Sequence, residues 1–411
     1  MNGERLLARL HELAATANAT PGNGVTRFSW SKADSVARNI IYREIETLGL
    51  SAWTDGIGNI HALYPGTDGG PRIIIGSHLD SVRHGGKLDG ALGVVAALEA
   101  LHSLREEGVR PVRDIEFIAF AEEEGSNFGC TCLGSKAAVG QVGPEDLKAL
   151  RNAEGDCYSK LLGFGLEPDA LPSQRIDPAD VLAFLELHIE QNARLEQAGC
   201  RLGVVTSICG MRLRRITLRG RSDHAASPMQ GRRDPMAGFA EFAFRMEAMW
   251  KQGLLPEDFS CTIGTVACTP GVGIIIPESV TFTVDIRHVD IETLEQGWGK
   301  VQELLESVAS ERGLESTVEL LSASGGSRMD NSIQEAFAQA SRSRGVEAMR
   351  LPSGPAHDAA AFGFCGVPTG MLFVPSIGGL SHCPDEDTAP EDLCLGAQVL
   401  EDVVRRLADR G

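Results

Sequence analysis

The stretch IIIGSHLDSVRHGGKLD, residues 73–89, places the tightest limit on how this chain folds. Its three consecutive isoleucines end at Gly76, and so short an apolar run predicts a buried strand. In an open α/β sheet, functional side chains lie beyond the carboxyl ends of the strands. His78 and Asp80 come at that end, and Asp89 follows across a glycine-rich turn. An imidazole and carboxylates placed there predict a metal site, although a polar surface turn could carry the same residues.

The residues after this stretch predict a parallel sheet. A helix is expected from Gly90 to Glu107, and the apolar segment 114–121 predicts a second buried strand. Strand, helix and strand in this order are typical of a parallel βαβ unit. Asp89 then lies at the positive end of the helix, which favours its ionised form. We expect Asp80 to accept the second ring N–H of His78 and so to select its tautomer.

Composition limits the domain count and the partners. A chain of 411 residues exceeds one ordinary core, so two domains are expected. A net charge of −18 argues against nucleic acid and anionic membranes as partners. The ten cysteines show no Cys-x-x-Cys spacing, which favours reduced thiols. The amphipathic start MNGERLLARLHEL does not resemble a signal peptide, and we predict a cytoplasmic protein.

The character of the sequence changes after Gly210. Period-two strands and two amphipathic helices follow, and the α/β pattern returns from Gly325. We predict an α/β protein in which residues 1–210 and 323–411 form a mainly parallel sheet domain. Residues 211–322 would form an inserted α+β sandwich.

Five side chains fall at predicted strand ends or in loops of the α/β part, namely His78, Asp89, Glu124, His188 and His382. Two metal shells that share one carboxylate need five such ligands. We assign Asp89 as the bridge, with His78 and His188 on one ion and the other two residues on the second. A metal pair activates water and stabilises charge on a carbonyl oxygen. Glu123, beside a ligand but not needed as one, is the candidate general base and acid.

These segments resemble the hydantoinase/carbamoylase branch of the M20 metal-dependent amidohydrolases, across nearly the whole chain. The branch includes N-carbamoyl-L-amino-acid hydrolases, β-ureidopropionases and allantoate or ureidoglycolate amidohydrolases. The motifs that carry the resemblance are GSHLDS at 76–81, GGKLDGALGV at 85–94, AEEEGSNFG at 121–129, ELHIEQ at 186–191, DIRH at 285–288 and GLSH at 379–382. The five ligands and Glu123 each fall on motif positions of the family.

The resemblance implies a metallopeptidase-like fold with a lid domain that also forms a homodimer. It implies two divalent ions per subunit, Zn²⁺, Mn²⁺, Co²⁺ or Ni²⁺, and hydrolysis of a C–N bond in a ureido or related amide group. The substrate would be a small carboxylate, most directly an N-carbamoyl amino acid. His224 corresponds to the histidine that reaches the partner subunit's site and stabilises the oxyanion. Arg287 corresponds to the clamp on the substrate carboxylate, and Gln191 to a substrate contact.

The departures from the family pattern lie on the substrate side. Ile274 stands where an asparagine is common, and Ala356 lies in the altered turn SGPAHDA. The other departures are at Asn192, Ala226 and Cys383. Losing an amide side chain at 274 predicts a substrate less polar than allantoate, or differently shaped, at that point.

Three other functions stay open from the sequence. One is an allantoate or ureidoglycolate amidohydrolase. Another is an ordinary M20 aminoacylase or dipeptidase, against which His188 argues because those relatives tend to place a carboxylate there. The last is a metal-binding scaffold without catalysis, against which the intact Glu123 argues.

Overall fold

The computed structural model describes residues 1–16 and 24–409. The chain divides into two compact units, Met1–Ile208 with Ser327–Gly411, and Cys209–Gly326. The first unit is therefore made of two separate chain segments, and the second is inserted between them. Among the described residues, no helix combines the length and the apolar character needed to cross a bilayer.

Helices make up much of both units. In the described residues the α-helices are α1 (Gly3–Ala15), α2 (Lys32–Thr47), α3 (Ala91–Glu106), α4 (Leu133–Ala138), α5 (Pro144–Ala149), α6 (Cys157–Phe164), α7 (Leu171–Gln174), α8 (Arg194–Ala198), α9 (Pro235–Lys251), α10 (Ile291–Glu311), α11 (Asn331–Ser343), α12 (Asp358–Phe364) and α13 (Pro390–Ala408). Short 3₁₀ turns lie at Pro168–Ala170, Pro178–Asp180 and Ile377–Gly379. The predicted helix from Gly90 to Glu107 is α3, one residue shorter at each end.

The described strands are β1 (Ala52–Thr54), β2 (Ile60–Tyr64), β3 (Arg72–His78), β4 (Ile115–Phe120), β5 (Arg151–Asn152), β6 (Gly155–Asp156), β7 (Val181–Ile189), β8 (Gly203–Ile208), β9 (Gly210–Arg219), β10 (Asp223–His224), β11 (Ser260–Thr269), β12 (Ile275–Ile276), β13 (Ser279–His288), β14 (Glu315–Ser324), β15 (Ser327–Arg328), β16 (Met349–Ser353) and β17 (Thr369–Val374). The predicted buried strands at 73–75 and 114–121 are thus β3 and β4.

The first unit is built on one mixed sheet. Its order is β1-β2-β4-β3-β7-β17-β8-β15, with β16 also paired to β8. The central neighbours β4, β3, β7 and β17 are parallel, as the βαβ pattern predicts. Strands β3 and β4 are buried almost throughout, because helices cover the sheet on both faces as in other parallel sheets. The mixed α/β fold with a mainly parallel centre is confirmed.

The second unit is an antiparallel sheet covered by two helices. The sheet order is β11-β13-β9-β14. Side chains of β13 alternate between buried and half-buried positions, which is the pattern of a strand with one face on a core. That core includes Phe242 of α9, Phe282 of β13 and Val301 of α10. The unit is an α+β layer pair, as the period-two strands and amphipathic helices predict.

A buried cluster of His61, Asp55 and Glu116 lies near one edge of the large sheet. His61 of β2 lies with Nδ1 2.8 Å from Glu116 Oε1 and Nε2 3.4 Å from Asp55 Oδ2. Burial alone would lower the pKa of His61, but hydrogen bonds to Asp55 and Glu116 raise it to about 9. The folded protein therefore binds this proton more tightly than the unfolded chain does.

We predict that the stabilisation from protonated His61 is present below pH 6.5 and is lost as the pH rises through about 9. Across that window the free energy of unfolding should fall by on the order of 3 kcal/mol relative to a His61→Gln variant. Urea unfolding of both proteins at several pH values measures this difference. A wild-type advantage that stays constant across the window would contradict the prediction.

Candidate metal centre

Parallel strands bring three predicted ligands to one edge of the sheet. His78 is the last residue of β3, His188 lies near the end of β7, and Glu124 follows β4. Because β3 pairs in parallel with both β4 and β7, their carboxyl ends open on the same side. His382 comes from the loop after β17, the next parallel strand.

Asp89 reaches this edge from the start of α3. It precedes Gly90, whose φ of 65° lies in the left-handed region that glycine adopts without strain. A Cβ atom on Gly90 would also lie 2.4 Å from the ring of His78. Glycine at this position therefore lets the main chain turn into the helix directly beside the imidazole. The carboxylate of Asp89 is held at the positive end of the helix dipole.

The two oxygens of Asp89 face different partners. Asp89 Oδ1 lies 3.2 Å from His188 Nε2 and 3.6 Å from His78 Nε2. Asp89 Oδ2 lies 3.1 Å from His382 Nε2, and that nitrogen is 3.3 Å from Glu124 Oε1. Two groups suited to a metal share Asp89, namely His78–Asp89–His188 and Asp89–Glu124–His382. The other four predicted ligands gather around the Asp89 carboxylate.

Main-chain carbonyls select the tautomer of the two buried histidines. His78 Nδ1 lies 3.0 Å from the carbonyl oxygen of Asp80, and His188 Nδ1 lies 3.0 Å from that of Ile189. A carbonyl oxygen only accepts, so each Nδ1 carries the proton. In the neutral form of each ring, Nε2 then has a lone pair, and the two Nε2 atoms lie 3.4 Å apart. Two lone pairs that face one another fit a cation between them.

The oxygens of the cluster also fit a cation. Asp89 Oδ1 and Glu124 Oε1 are buried and accept no hydrogen bond from the residues that the structure describes. Burial alone would raise the pKa of Asp89, but the neighbouring imidazoles of His188, His382 and His78 lower it well below its usual value. Ionised oxygens and imidazole nitrogens are ligands that divalent transition metals accept.

Glu123 lies beside the cluster without belonging to either group. Its Oε2 is 3.9 Å from His78 Nε2, and its Oε1 accepts a hydrogen bond from the Cys132 thiol at 3.1 Å. Burial raises the pKa of Glu123 well above its usual value; His78 opposes this shift, and neighbouring carboxylates add to it. A carboxyl group in such surroundings is suited to taking up a proton. The hydrogen bond from Cys132 to Glu123 could not be predicted from the sequence, because both residues lie in irregular backbone that has no repeating pattern.

Asp80 contacts the ring N–H of His78 as predicted, and the contact is made by its main chain. The carboxylate of Asp80 lies further away, with Oδ1 3.8 Å from the same ring nitrogen. The carboxylate instead accepts the main-chain N–H groups of Glu123 at 3.0 Å and Glu124 at 3.2 Å. Those two donors are buried in a turn that offers them no strand partner. Asp80 therefore orients the segment that carries Glu123 and Glu124.

The remaining predicted residues of the first unit lie as follows. Gln191 donates from Nε2 to Asp89 Oδ2 at 2.8 Å, so it touches the carboxylate that is predicted to bridge. Ala356 is half-buried and directly precedes His357, the N-cap of α12. Glu386, which sequence reasoning missed, accepts the N–H of Asp89 at 3.1 Å. The substrate roles of Gln191 and Ala356 stay predictions.

Three predicted residues belong to the second unit. His224 is exposed and pairs with Ile275 across the short β10–β12 ladder, which puts Ile274 beside it. His224 Nδ1 accepts the N–H of Ala226 at 3.0 Å, so its proton is on Nε2. Arg287 is paired within β13 to Asp285, with Nη2 2.9 Å from Oδ2. Their roles toward a substrate stay predictions.

The fold and the metal cluster together define a metal-dependent hydrolase of the metallopeptidase-like class. Residues 74–406 match peptidase family M20/M25/M40, and the chain belongs to this family. The resemblance stated from the motifs is confirmed.

Known relatives and solved structures show which members of the family this chain is similar to. The chain is 37% identical over 412 residues to an N-carbamoyl-L-amino acid amidohydrolase of Geobacillus stearothermophilus, covering 99% of each chain. It is 34% identical to an allantoate amidohydrolase of Bacillus subtilis (strain 168), over 97% of this chain and 96% of the relative. The crystal structure of a hydantoinase/carbamoylase family amidase from Burkholderia vietnamiensis matches with a TM-score of 0.90 and 29% identity, over 100% of this chain and 98% of the other.

We predict that Mn²⁺, Co²⁺ or Zn²⁺ stabilises the metal-free protein, because the cluster holds buried oxygens without hydrogen-bond donors. Free metal at 100 times its Kd should add about 2.7 kcal/mol to the free energy of unfolding. Thermal unfolding with and without each metal measures this as a rise in Tm. Asp89→Asn should abolish the rise, and Asp68→Asn, an exposed carboxylate of the same unit, should retain it. An identical rise in the Asp89 variant would contradict the assignment.

Proposed function

We propose that this chain is a binuclear metal-dependent amidohydrolase that cuts the C–N bond of a ureido group on a small carboxylate. An N-carbamoyl amino acid is the favoured substrate, with the amine, carbon dioxide and ammonia as products. The observation that carries the proposal is the pair of ligand groups that share Asp89, with Glu123 beside them. The similarity to an N-carbamoyl-L-amino acid amidohydrolase over the whole chain supports the substrate class.

We assign the ligands as the sequence predicts. His78, Asp89 and His188 would hold one divalent ion, and Asp89, Glu124 and His382 the other. The nitrogen and oxygen donors suit Zn²⁺, Mn²⁺, Co²⁺ or Ni²⁺. When bound, such ions supply Lewis acidity, which lowers the pKa of water and polarises a carbonyl group.

Glu123 moves the proton in this mechanism. Its Oε1 is occupied by the Cys132 thiol, so Oε2, the oxygen nearer His78, takes the proton from water. The same oxygen then gives that proton to the leaving nitrogen. Asp80 keeps the carboxylate in place by accepting the main-chain N–H of Glu123. Buried surroundings raise the pKa of Glu123, which lets it retain the proton between the two transfers.

Two residues of the second unit complete the proposal. His224 carries its proton on Nε2 and would donate it as a hydrogen bond to the developing oxyanion. Arg287 would bind the substrate carboxylate with its guanidinium, a task suited to its planar pair of donors. We assign this unit as a lid and dimerisation domain, through which His224 would serve the partner subunit of a cytoplasmic homodimer.

Replacing Glu123 by Gln should lower turnover by orders of magnitude and leave metal binding unchanged, because Gln keeps the shape but cannot accept the proton. Loss of one general acid–base group costs about 10²–10⁴-fold in kcat. Ammonia release from metal-reconstituted protein over a panel of ureido and N-acyl acids measures it. Glu145→Gln, an exposed glutamate of the same unit, is the matched control. Near-normal turnover by Glu123→Gln would remove it from this role, and a wild type inactive on the whole panel would favour a binding scaffold.

We predict that N-carbamoyl amino acids with apolar side chains are turned over faster than allantoate. Ile274 is exposed and offers neither a donor nor an acceptor, so a polar substrate group that binding buries unpaired beside it would cost about 1–3 kcal/mol. Steady-state kcat/KM for both substrates measures the preference, and Ile274→Asn should shift it toward allantoate. Val272→Asn, exposed in the same loop, should leave it unchanged. A clear wild-type preference for allantoate would favour the allantoate amidohydrolase alternative.

A further inference from the structure

Glu386 is a buried carboxylate that lies next to the metal centre and belongs to neither ligand group. It comes from the loop that also carries His382, and only 1% of its surface is exposed. Its Oε1 accepts the main-chain N–H of Leu88 at 2.9 Å and that of Asp89 at 3.1 Å. One oxygen of Glu386 is therefore engaged with the main chain of the bridging ligand.

The other oxygen of Glu386 is engaged within its own loop. The Ser381 hydroxyl lies 2.8 Å from Glu386 Oε2 and 3.2 Å from Asp89 Oδ2. That hydroxyl stands between the two carboxylates, one residue before His382. The carboxylate of Glu386 thus links the segment that presents Asp89 to the segment that presents His382.

Gly86 shows how closely the two segments approach. A Cβ atom on Gly86 would lie 1.9 Å from the carboxyl carbon and from Oε1 of Glu386. No side chain fits there without displacing the carboxylate. The glycine-rich turn before Asp89 is thus shaped to admit Glu386.

We propose that Glu386 is a positioning residue that sets the separation of Asp89 and His382 and so creates the second metal site. This inference rests on the proposed two-metal function. His78 and His188 are held by β3 and β7, which pair directly with each other. His382 lies in a loop, so its place relative to Asp89 depends on contacts such as those of Glu386. Removing Glu386 should therefore weaken one metal site and spare the other.

The test is calorimetric titration of metal-free protein with Mn²⁺, which counts ions and gives their affinities without an activity assay. Wild type should bind two ions per chain. Glu386→Ala should bind one ion as wild type does and the other about 10–100-fold more weakly, the usual effect of losing a group that orients a ligand. Gly86→Ala should have the same effect, and it replaces Glu386→Ala if that variant does not fold.

Two further variants separate positioning from a general loss of structure. Glu386→Gln should restore near-wild-type binding, because its amide oxygen accepts both N–H groups and its NH₂ group can donate to Ser381. Lys87→Ala removes the exposed ion pair of Lys87 with Asp387, 3.1 Å long, which joins the same two segments, and should change nothing.

Each outcome decides the question. Two ions bound by Glu386→Ala with wild-type affinities, or both weakened alike, would overturn the inference. A Glu386→Gln variant as defective as Glu386→Ala would also overturn it, since charge and not hydrogen-bond geometry would then matter. A wild type that binds no Mn²⁺ would instead contradict the proposed function itself.

Discussion

The Asp89 carboxylate is the contact on which the rest of the site depends. One of its oxygens faces His78 and His188, and the other faces His382. Three imidazoles and a helix start keep it ionised although it is buried. Without this shared anion the two ligand groups would be unrelated pairs of side chains. With it they form one cluster, and Glu123 lies directly beside that cluster.

The predicted ligands are carried by chain segments of different rigidity. The ends of β3 and β7 belong to a parallel sheet buried on both faces, so the histidines they carry have little freedom. His382 and Asp89 come from segments without such support, and their places follow from hydrogen bonds to main-chain groups. The Asp80 and Glu386 carboxylates use the same device, since each accepts two neighbouring main-chain N–H groups. The buried carboxylates at this centre therefore have two functions. Some face the predicted metal ligands, whereas Asp80 and Glu386 accept main-chain N–H groups and fix the backbone.

Sequence reasoning predicted the strands, and the side chains that gather at their ends, for a physical reason. A buried strand shows as a local apolar run, and a side chain at its end has its direction fixed by the strand, so His78 and His188 follow from pattern and motif. The compact units of the structure are 1–208 with 327–411, and 209–326. The domains predicted from the sequence are 1–210 with 323–411, and 211–322. The partner of the Asp80 carboxylate could not be predicted, because it depends on how a turn presents its N–H groups. The contact of Glu386 with Asp89 joins residues 297 apart in sequence, which no local pattern reports.

The most direct test of the account is a crystal of the protein soaked in Mn²⁺, with anomalous scattering recorded at the manganese edge. We expect two peaks on opposite sides of the Asp89 carboxylate, about 3.5–4 Å apart. A map with no peak at Asp89, or with manganese bound only elsewhere, would contradict the account.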